Sequence, residues 1–169
     1  MVKKVQYKFQ VEKEQILDVF KSKGIKFSSS IEHTYTYFEV PKKDKCSFII
    51  LRTIVSEGAQ KMDMKIHNNK TGESKHFESS VGNIKQVQSI FKHIGCKLIF
   101  TFHKHRQTWI GEFIRLDLDT TKELGTFLEV KFDLEDRIKA EEFLRDLNID
   151  SGKQDKRSII EIYLEKYKS

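Results

Sequence analysis

The stretch Arg115–Phe132 reads RLDLDTTKELGTFLEVKF, and its two ends alternate strictly between apolar and charged residues. Leu116 and Leu118 alternate with Asp117 and Asp119, and the same period of two returns in the second half of the stretch. A strand places successive side chains on opposite faces, so the stretch predicts two strands that each have one apolar and one charged face. The pattern recurs along the chain, which favours a sheet whose charged face points inward.

The rest of the chain divides into short elements by the same criteria. Strands are predicted at residues 2–11, 25–40, 46–55, 61–67, 75–81 and 97–109, with the register of the 75–81 strand left open. Helices are predicted at residues 12–23, 84–94, 134–147 and 159–167, with Asn83 as the cap of the second, and a hairpin turn at residues 68–72. This set predicts an α+β fold in a single domain over residues 1–169, with helices packed outside an antiparallel, barrel-like sheet that leaves no open edge.

Composition narrows the class of partner. The 169 residues include 31 Lys and Arg against 25 Asp and Glu, a net charge of +6, which fits an anionic partner and equally fits a well-solvated surface. No apolar run approaches the roughly 20 residues that span a bilayer, and no signal-peptide core is present, so no membrane partner is expected. Two cysteines, Cys46 and Cys96, fit reduced thiols and a cytoplasmic location.

Six short motifs, in order along the chain, resemble the CYTH family of class IV adenylate cyclases, thiamine triphosphatases and inorganic triphosphatases. The resemblance implies a closed antiparallel barrel, a tunnel lined by charge, that binds the triphosphate of its substrate. The matching residues are Tyr37 and Phe38, Leu51-Arg52, Met64-Lys65, Lys104 and Arg106, the closing motif Asp119, Leu124, Gly125, Phe127 and Glu129, and Arg157-Ser158.

The resemblance also implies roles for individual residues. The phosphate-binding side chains would be Lys8, Arg52, Lys65, Lys104 and Arg106, because basic groups bind phosphate oxygens and arginines do so in bidentate fashion. If the protein is an active enzyme, Asp117, Asp119 and Glu129 would hold Mg²⁺ or Mn²⁺, hard cations that prefer oxygen ligands. On this interpretation the tunnel lining also includes Lys4, Asp63, Arg115 and Lys131.

The chain departs from the family pattern mainly at the positions where family members have the carboxylates that bind the metal. The opening Glu-x-Glu-x-Lys signature is replaced by Lys4, Gln6 and Lys8, and the second carboxylate of the closing strand is replaced by Lys131. A metal needs several oxygen ligands, so its affinity should fall steeply when these are lost. The leading hypothesis is therefore a CYTH-like protein that binds a phosphorylated anion, such as a nucleoside triphosphate, thiamine triphosphate or polyphosphate, with metal-dependent catalysis lost or weakened.

Several alternatives stay open at the level of sequence. The protein could be an active class IV adenylate cyclase or triphosphate hydrolase. It could instead bind nucleic acid through basic residues and through the aromatic residues Tyr35, Tyr37, Phe38 and Trp109. The interior charges could also be structural, with Lys4 and Lys131 paired to Asp117, Asp119 or Glu129.

A further metal site at His103 and His105 is weakly indicated, because the two side chains share a strand face but no third ligand is placed.

Overall fold

Eight strands and four α-helices make up the part of the chain that the computed structural model describes, which is residues 4–41, 47–68 and 74–167. The elements in chain order are β1 Lys4–Gln10, α1 Lys13–Ser22, β2 Lys26–Glu39, β3 Ser47–Ser56, β4 Ala59–Asn68, β5 Ser74–Ser80, α2 Ile84–His93, β6 Lys97–Ile110, β7 Ile114–Thr121, β8 Gly125–Asp133, α3 Arg137–Asp146 and α4 Ile159–Tyr167. Short 3-10 helices lie at Leu134–Asp136 and Ser151–Lys153.

The strands form one sheet in the order β1-β8-β7-β6-β2-β3-β4-β5. The prediction of an α+β fold built on an antiparallel sheet is confirmed. Within the described residues the hydrogen-bonded order ends at β1 and at β5, so the expectation of a sheet without open edges is wrong at the level of backbone pairing.

The chain divides into two compact units, each described here by itself. Unit 1 comprises Met1–Ile31 and His105–Ser169, and unit 2 comprises Glu32–Lys104. The single domain over residues 1–169 stays a prediction.

The core of unit 1 lies on the apolar face of β1, β8 and β7. β8 pairs with β1 on one side, where Tyr7 faces Val130, and with β7 on the other, where Leu116 faces Val130. Helices α1 and α3 contribute Ile16, Phe20 and the apolar residues of Ala140–Leu147 to the same cluster. The alternation in the opening stretch therefore continues across three neighbouring strands, and their charged side chains all point to the other face.

A tight turn joins β7 to β8 inside that stretch. Gly125 has φ +84°, a left-handed conformation that glycine adopts without the steric cost of a Cβ atom. The Thr121 hydroxyl accepts a hydrogen bond from the Leu124 amide at 3.0 Å, which closes the turn. This turn sets the register that brings Asp117 opposite Glu129.

Unit 2 has a smaller core beneath α2. Phe38, Leu51, Phe91 and Cys96 are buried together there. Burial raises the pKa of the Cys96 thiol, in keeping with an inert buried residue. Cys46 and most of the predicted 68–72 turn lie outside the described residues.

Helix boundaries follow the local caps. The predicted cap at Asn83 is confirmed, because its Oδ1 accepts a hydrogen bond from the Gln86 amide at 3.1 Å. The helix predicted from residue 12 begins at Lys13, and Glu12 makes no capping bond through its side chain. The helix predicted from residue 134 begins as a 3-10 turn and becomes α-helical only at Arg137. Among the described helices, none combines the length and the apolarity that a membrane crossing requires.

Candidate functional site

The charged face of unit 1 is built by β1, β6, β7 and β8. Strand pairing places Lys8 opposite Glu129, and Glu129 opposite Asp117. It also places Gln6 and Arg115 on either side of Lys131. Directly opposite residues share a face, so the register alone gathers these side chains into one cluster.

Arg106 on β6 contacts all three predicted metal carboxylates. Its Nε and one terminal nitrogen donate to the two oxygens of Asp119, each at 2.5 Å. The same terminal nitrogen lies 3.0 Å from Glu129 Oε2, and the other lies 3.3 Å from Asp117 Oδ2. Burial alone would lower the pKa of Arg106, but the hydrogen bonds and charge of Asp119 and its neighbours outweigh burial and raise it. Arg106 is therefore held in place as a cation by carboxylates.

Lys131 occupies the space between Asp117 and Glu129. Its Nζ lies 2.7 Å from Asp117 Oδ2 and 3.2 Å from Glu129 Oε2. Asp117, which is fully buried, also accepts from Thr108 at 2.8 Å and from Arg115 at 3.0 Å. Burial would raise the pKa of Asp117, but the hydrogen bond from Lys131 and the charge of Arg106 lower it to about 2. The structural ion pair that the sequence left open as an alternative is thus present for Lys131.

Lys8, the remaining cation of this face, contacts the C-terminal segment. Its Nζ donates to the Arg157 carbonyl, and its own carbonyl accepts from the Asp155 amide at 2.7 Å. The Arg157 guanidinium is bonded to Asp155 at 2.6 Å. Burial lowers the pKa of Lys8, and Asp155 and Glu129 only partly offset that effect. A lysine bound to a carbonyl keeps its full charge, so Lys8 can still attract an anion.

Arg52 in unit 2 repeats the arrangement of Arg106. Its Nε and one terminal nitrogen donate to the two oxygens of Asp63 at 2.7 and 2.5 Å, and the other terminal nitrogen lies 3.2 Å from the Tyr37 hydroxyl. Asp63 and Tyr37 are each 1% exposed. Burial raises the pKa of Tyr37, so the hydroxyl stays protonated beside the guanidinium. The predicted phosphate ligand Arg52 is therefore also bound to a buried carboxylate.

Lys104 and Lys65 have different environments. Lys104 is buried, with its Nζ 4.8 Å from the centre of the Tyr35 ring, and that ring stacks on Phe102 at 5.2 Å. Lys65 is exposed on β4, on the face that carries Asp63. Lys65 is thus the predicted phosphate ligand that is most open to solvent in unit 2.

The carboxylates predicted to hold Mg²⁺ or Mn²⁺ do not fit that role in this arrangement. Asp117, Asp119 and Glu129 are contacted by three cationic side chains, Arg106, Arg115 and Lys131. A dication in the same place would have to displace hydrogen-bonded cations from oxygens that they already neutralise.

A second set of residues in unit 2 has the spacing of metal ligands. One ligand atom each of Asp63, His76 and Glu78 lies within 4.8 Å of the others. His76 Nε2 is 3.1 Å from Asp63 Oδ2, and Glu78 is bonded to Lys61 at 2.8 Å. The sequence did not indicate this set, because the register of β5 was unknown and the spacing in sequence carries no signal.

The remaining residues singled out from the sequence lie outside these charged clusters or have undescribed side chains. Gln6 is exposed, and the side chain of Lys4 lies outside the described part of the structure. His103 Nδ1 bonds to the Thr34 hydroxyl at 3.0 Å, and His105 Nε2 bonds to Ser30 at 2.6 Å, so each ring contacts a hydroxyl of β2.

The four aromatic residues of the nucleic-acid alternative are largely packed. Phe38 packs on Phe91 beneath α2, and Trp109 packs on Phe20 and Phe27. Tyr37 stacks on Phe100 at 4.8 Å. No fully open stacking surface is formed by these residues as described.

Comparison with known proteins agrees with this fold. A Pyrococcus horikoshii OT3 structure superposes with a TM-score of 0.75 at 22% identity, covering 95% of this chain and 99% of that one. An adenylyl cyclase candidate from Hippeastrum, described as having a dominant triphosphatase activity, superposes with a TM-score of 0.67 at 14% identity and covers 98% and 96%. A proposed adenylate cyclase from Vibrio parahaemolyticus gives 0.67 at 16%, covering 95% and 97%.

At these identities the structural similarity establishes the fold alone. No curated protein matches the sequence. The family model described as the CYTH domain matches residues 3–159, nearly the whole chain. The chain therefore belongs to the CYTH family.

Proposed function

We propose that this protein binds a phosphorylated anion without needing a divalent metal, and that metal-dependent catalysis is lost or weakened. The observation that carries the proposal is the position of Lys131, whose Nζ lies 2.7 Å from Asp117 and 3.2 Å from Glu129. An ammonium group there neutralises two carboxylates that a family member would offer to a metal. It cannot bridge two phosphate oxygens and a nucleophile as a metal does.

The anion contacts would come from the lysines rather than from the arginines. Arg52 and Arg106 each donate a bidentate pair of hydrogen bonds to a carboxylate, so fewer of their N–H groups can donate to an anion. Lys65 is exposed, and the Lys8 ammonium group donates to the Arg157 carbonyl, which is a neutral acceptor. We therefore assign Lys8 as the main phosphate contact of unit 1 and, separately, Lys65 and Lys104 as the phosphate contacts of unit 2, with the arginine of each unit adding charge.

A second candidate is an active triphosphatase or adenylate cyclase. It is supported by the activity described for the Hippeastrum neighbour and by the Asp63, His76 and Glu78 group, which could hold Mg²⁺ or Mn²⁺. On this alternative, turnover would require the metal and would be lost in Glu78→Gln, which removes one of the three candidate ligands.

Calorimetric titration of tripolyphosphate and ATP, each with Mg²⁺ and with EDTA, tests the proposal. We expect binding of similar affinity in both conditions and no release of phosphate, pyrophosphate or cyclic nucleotide. Binding only with metal, together with product release, would establish the active enzyme instead. Absence of binding in both conditions would leave the charged clusters as structural networks.

A matched pair of variants locates the contact. Lys65→Gln should weaken tripolyphosphate binding about tenfold, the equivalent of about 1.4 kcal/mol. Lys139→Gln removes the same charge from the exposed face of α3 and should leave the affinity unchanged. Equal effects of the two variants would argue against Lys65 as a direct ligand.

The identity of the ligand, nucleic-acid binding and a cytoplasmic location remain predictions.

A further inference from the structure

Strand β5 presents an uncovered edge. It is the last strand of the sheet order and pairs with β4 alone in the described structure. All six residues whose side chains are described, Lys75–Ser80, are exposed, including Phe77 at 52%. An edge strand offers a row of unpaired N–H and C=O groups on which another strand can add.

The strand at the other end of the sheet order has a further partner. The β1 backbone accepts a hydrogen bond from the Asp155 amide at Lys8, and the Lys8 side chain binds the Arg157 carbonyl. The segment at residues 155–157 therefore contacts β1, whereas β5 ends the strand order with β4 as its paired neighbour.

Symmetry limits which registers β5 could use to pair with a second copy of itself. A two-fold axis perpendicular to the sheet relates two antiparallel strands without exchanging the two faces of the sheet. Residues directly opposite each other must therefore lie on the same face. The axis must then pass through a residue position. Centred on His76 it would oppose two histidines, and centred on Glu78 it would oppose two like charges, which is destabilising.

The axis centred on Phe77 gives complementary pairs instead. It places His76 of each copy opposite Glu78 of the other, on the face that also carries Asp63. On the other face it places the two exposed Phe77 rings against each other, and directly opposed aromatic residues stabilise paired strands. Lys75 then faces Ser79, so no like charges oppose.

We propose that β5 pairs antiparallel with β5 of a second copy about a two-fold axis at Phe77, which joins two chains into a homodimer. A second copy of the chain fits this edge because the order His76-Phe77-Glu78 is complementary to itself about Phe77. The proposal does not depend on which anion the protein binds, and its test uses no ligand.

Measurement of molar mass in solution by light scattering tests the dimer. The wild-type chain should have twice the mass of the 20.0 kDa protomer. Phe77→Lys places two lysines opposite each other at the axis and should give the protomer mass. Ile138→Lys makes the same change at an α3 position that is 72% exposed, and should remain dimeric.

A monomeric wild type would overturn the proposal, as would a Phe77→Lys variant that stays dimeric. Loss of the dimer in both variants would show that added surface charge, not the β5 axis, controls association, and would overturn it as well.

Disulfide trapping tests the register. In Phe77→Cys the two introduced cysteines would lie opposite each other, with Cα atoms about 5 Å apart, which a disulfide spans. In Ser79→Cys they would lie four residues out of register, about 13 Å apart along the strands. Under the same oxidant only the first should give a covalent dimer above the wild-type background of Cys46 and Cys96. Efficient trapping of the second, or of neither, would refute this register.

Discussion

Lys131 shows how a single side chain can change what a cluster of acids does. A carboxylate at this position would add an oxygen ligand beside Glu129, whereas the ammonium group pairs with Asp117 and Glu129. Three cations and three carboxylates contact each other around it, and the Asp117 carboxyl is fully buried. A buried ion pair of this kind contributes little net stability, but removal of one partner leaves the other unpaired at a large cost.

Substitution of Lys131 should restore part of the metal affinity. In Lys131→Gln the repulsion between the ammonium group and an incoming dication disappears, so we expect Mn²⁺ to bind at least about tenfold more tightly, about 1.4 kcal/mol. Titration calorimetry with MnCl₂ measures this directly. Lys139→Gln is the control of equal charge and should match the wild type. Unchanged Mn²⁺ affinity in Lys131→Gln would mean that Arg106 and Arg115 are enough to exclude the metal.

Asp117 should make folding stability depend on pH in the acid range. Its pKa in the folded protein is about 2, below the unfolded value of roughly 3.9, so its ionised form favours the folded state. The stabilisation is present above the unfolded pKa and is lost as pH falls from about 4 to about 2, with a size of roughly 2 kcal/mol. Urea unfolding at a series of pH values measures it.

Two variants separate this effect from other acids. Asp117→Asn should be less stable at neutral pH and should lose that part of the pH dependence. Asp18→Asn, whose side chain is 83% exposed, should follow the wild type at every pH. Parallel pH curves for wild type and Asp117→Asn would contradict the assignment.

At the scale of a single element, the strands were predictable because a period of two is a local property of the chain. Where an element begins depends on its cap. Asn83 is a residue type that caps helices through its side chain, so the start of α2 could be predicted from the sequence. Glu12 and Leu134 are not such residue types, and the helix starts predicted at these two positions were wrong by one and three residues. The partners of Asp63 could not be predicted, because the contact with His76 depends on the register of β5 against β4.

The two helix caps make a matched test. Asn83→Ala removes the hydrogen bond to the Gln86 amide and should lower the free energy of unfolding by about 1 kcal/mol. Glu12→Ala removes a side chain that makes no such bond at the start of α1 and should change stability much less. Urea unfolding curves of the two variants give both values. No loss of stability in Asn83→Ala would show that the cap at Asn83 does not stabilise α2.

At the scale of the whole molecule, the net charge of +6 acts on any anion that approaches. The family and the fold were predictable from six short motifs, since their order along the chain survives at low identity. Pairing of Lys131 with the acids of β7 and β8 was one alternative at the level of sequence, but the pairs Arg52–Asp63 and Arg106–Asp119 were not predicted, since a formal charge gives no information about its neighbours.

Salt should weaken tripolyphosphate binding. As the Debye length falls from about 30 Å at 0.01 M salt to about 8 Å at 0.15 M, the long-range attraction is screened, and we expect the affinity to fall more than tenfold. Binding measured across a salt series gives the slope. Lys65→Gln should reduce that slope, whereas Lys139→Gln should leave it nearly unchanged. Identical slopes in the two variants would assign the attraction to the overall field rather than to a local contact.

The contact between Lys8 and residues 155–157 has a consequence for shortened forms of the protein. That segment follows all eight described strands in chain order, yet it is bonded both to the ammonium group and to the carbonyl of Lys8 in the first of them. A variant truncated before Asp155 would keep every described strand and still lose both of these bonds. A protease that cuts just before Asp155 would therefore change the surroundings of Lys8 without removing any described strand.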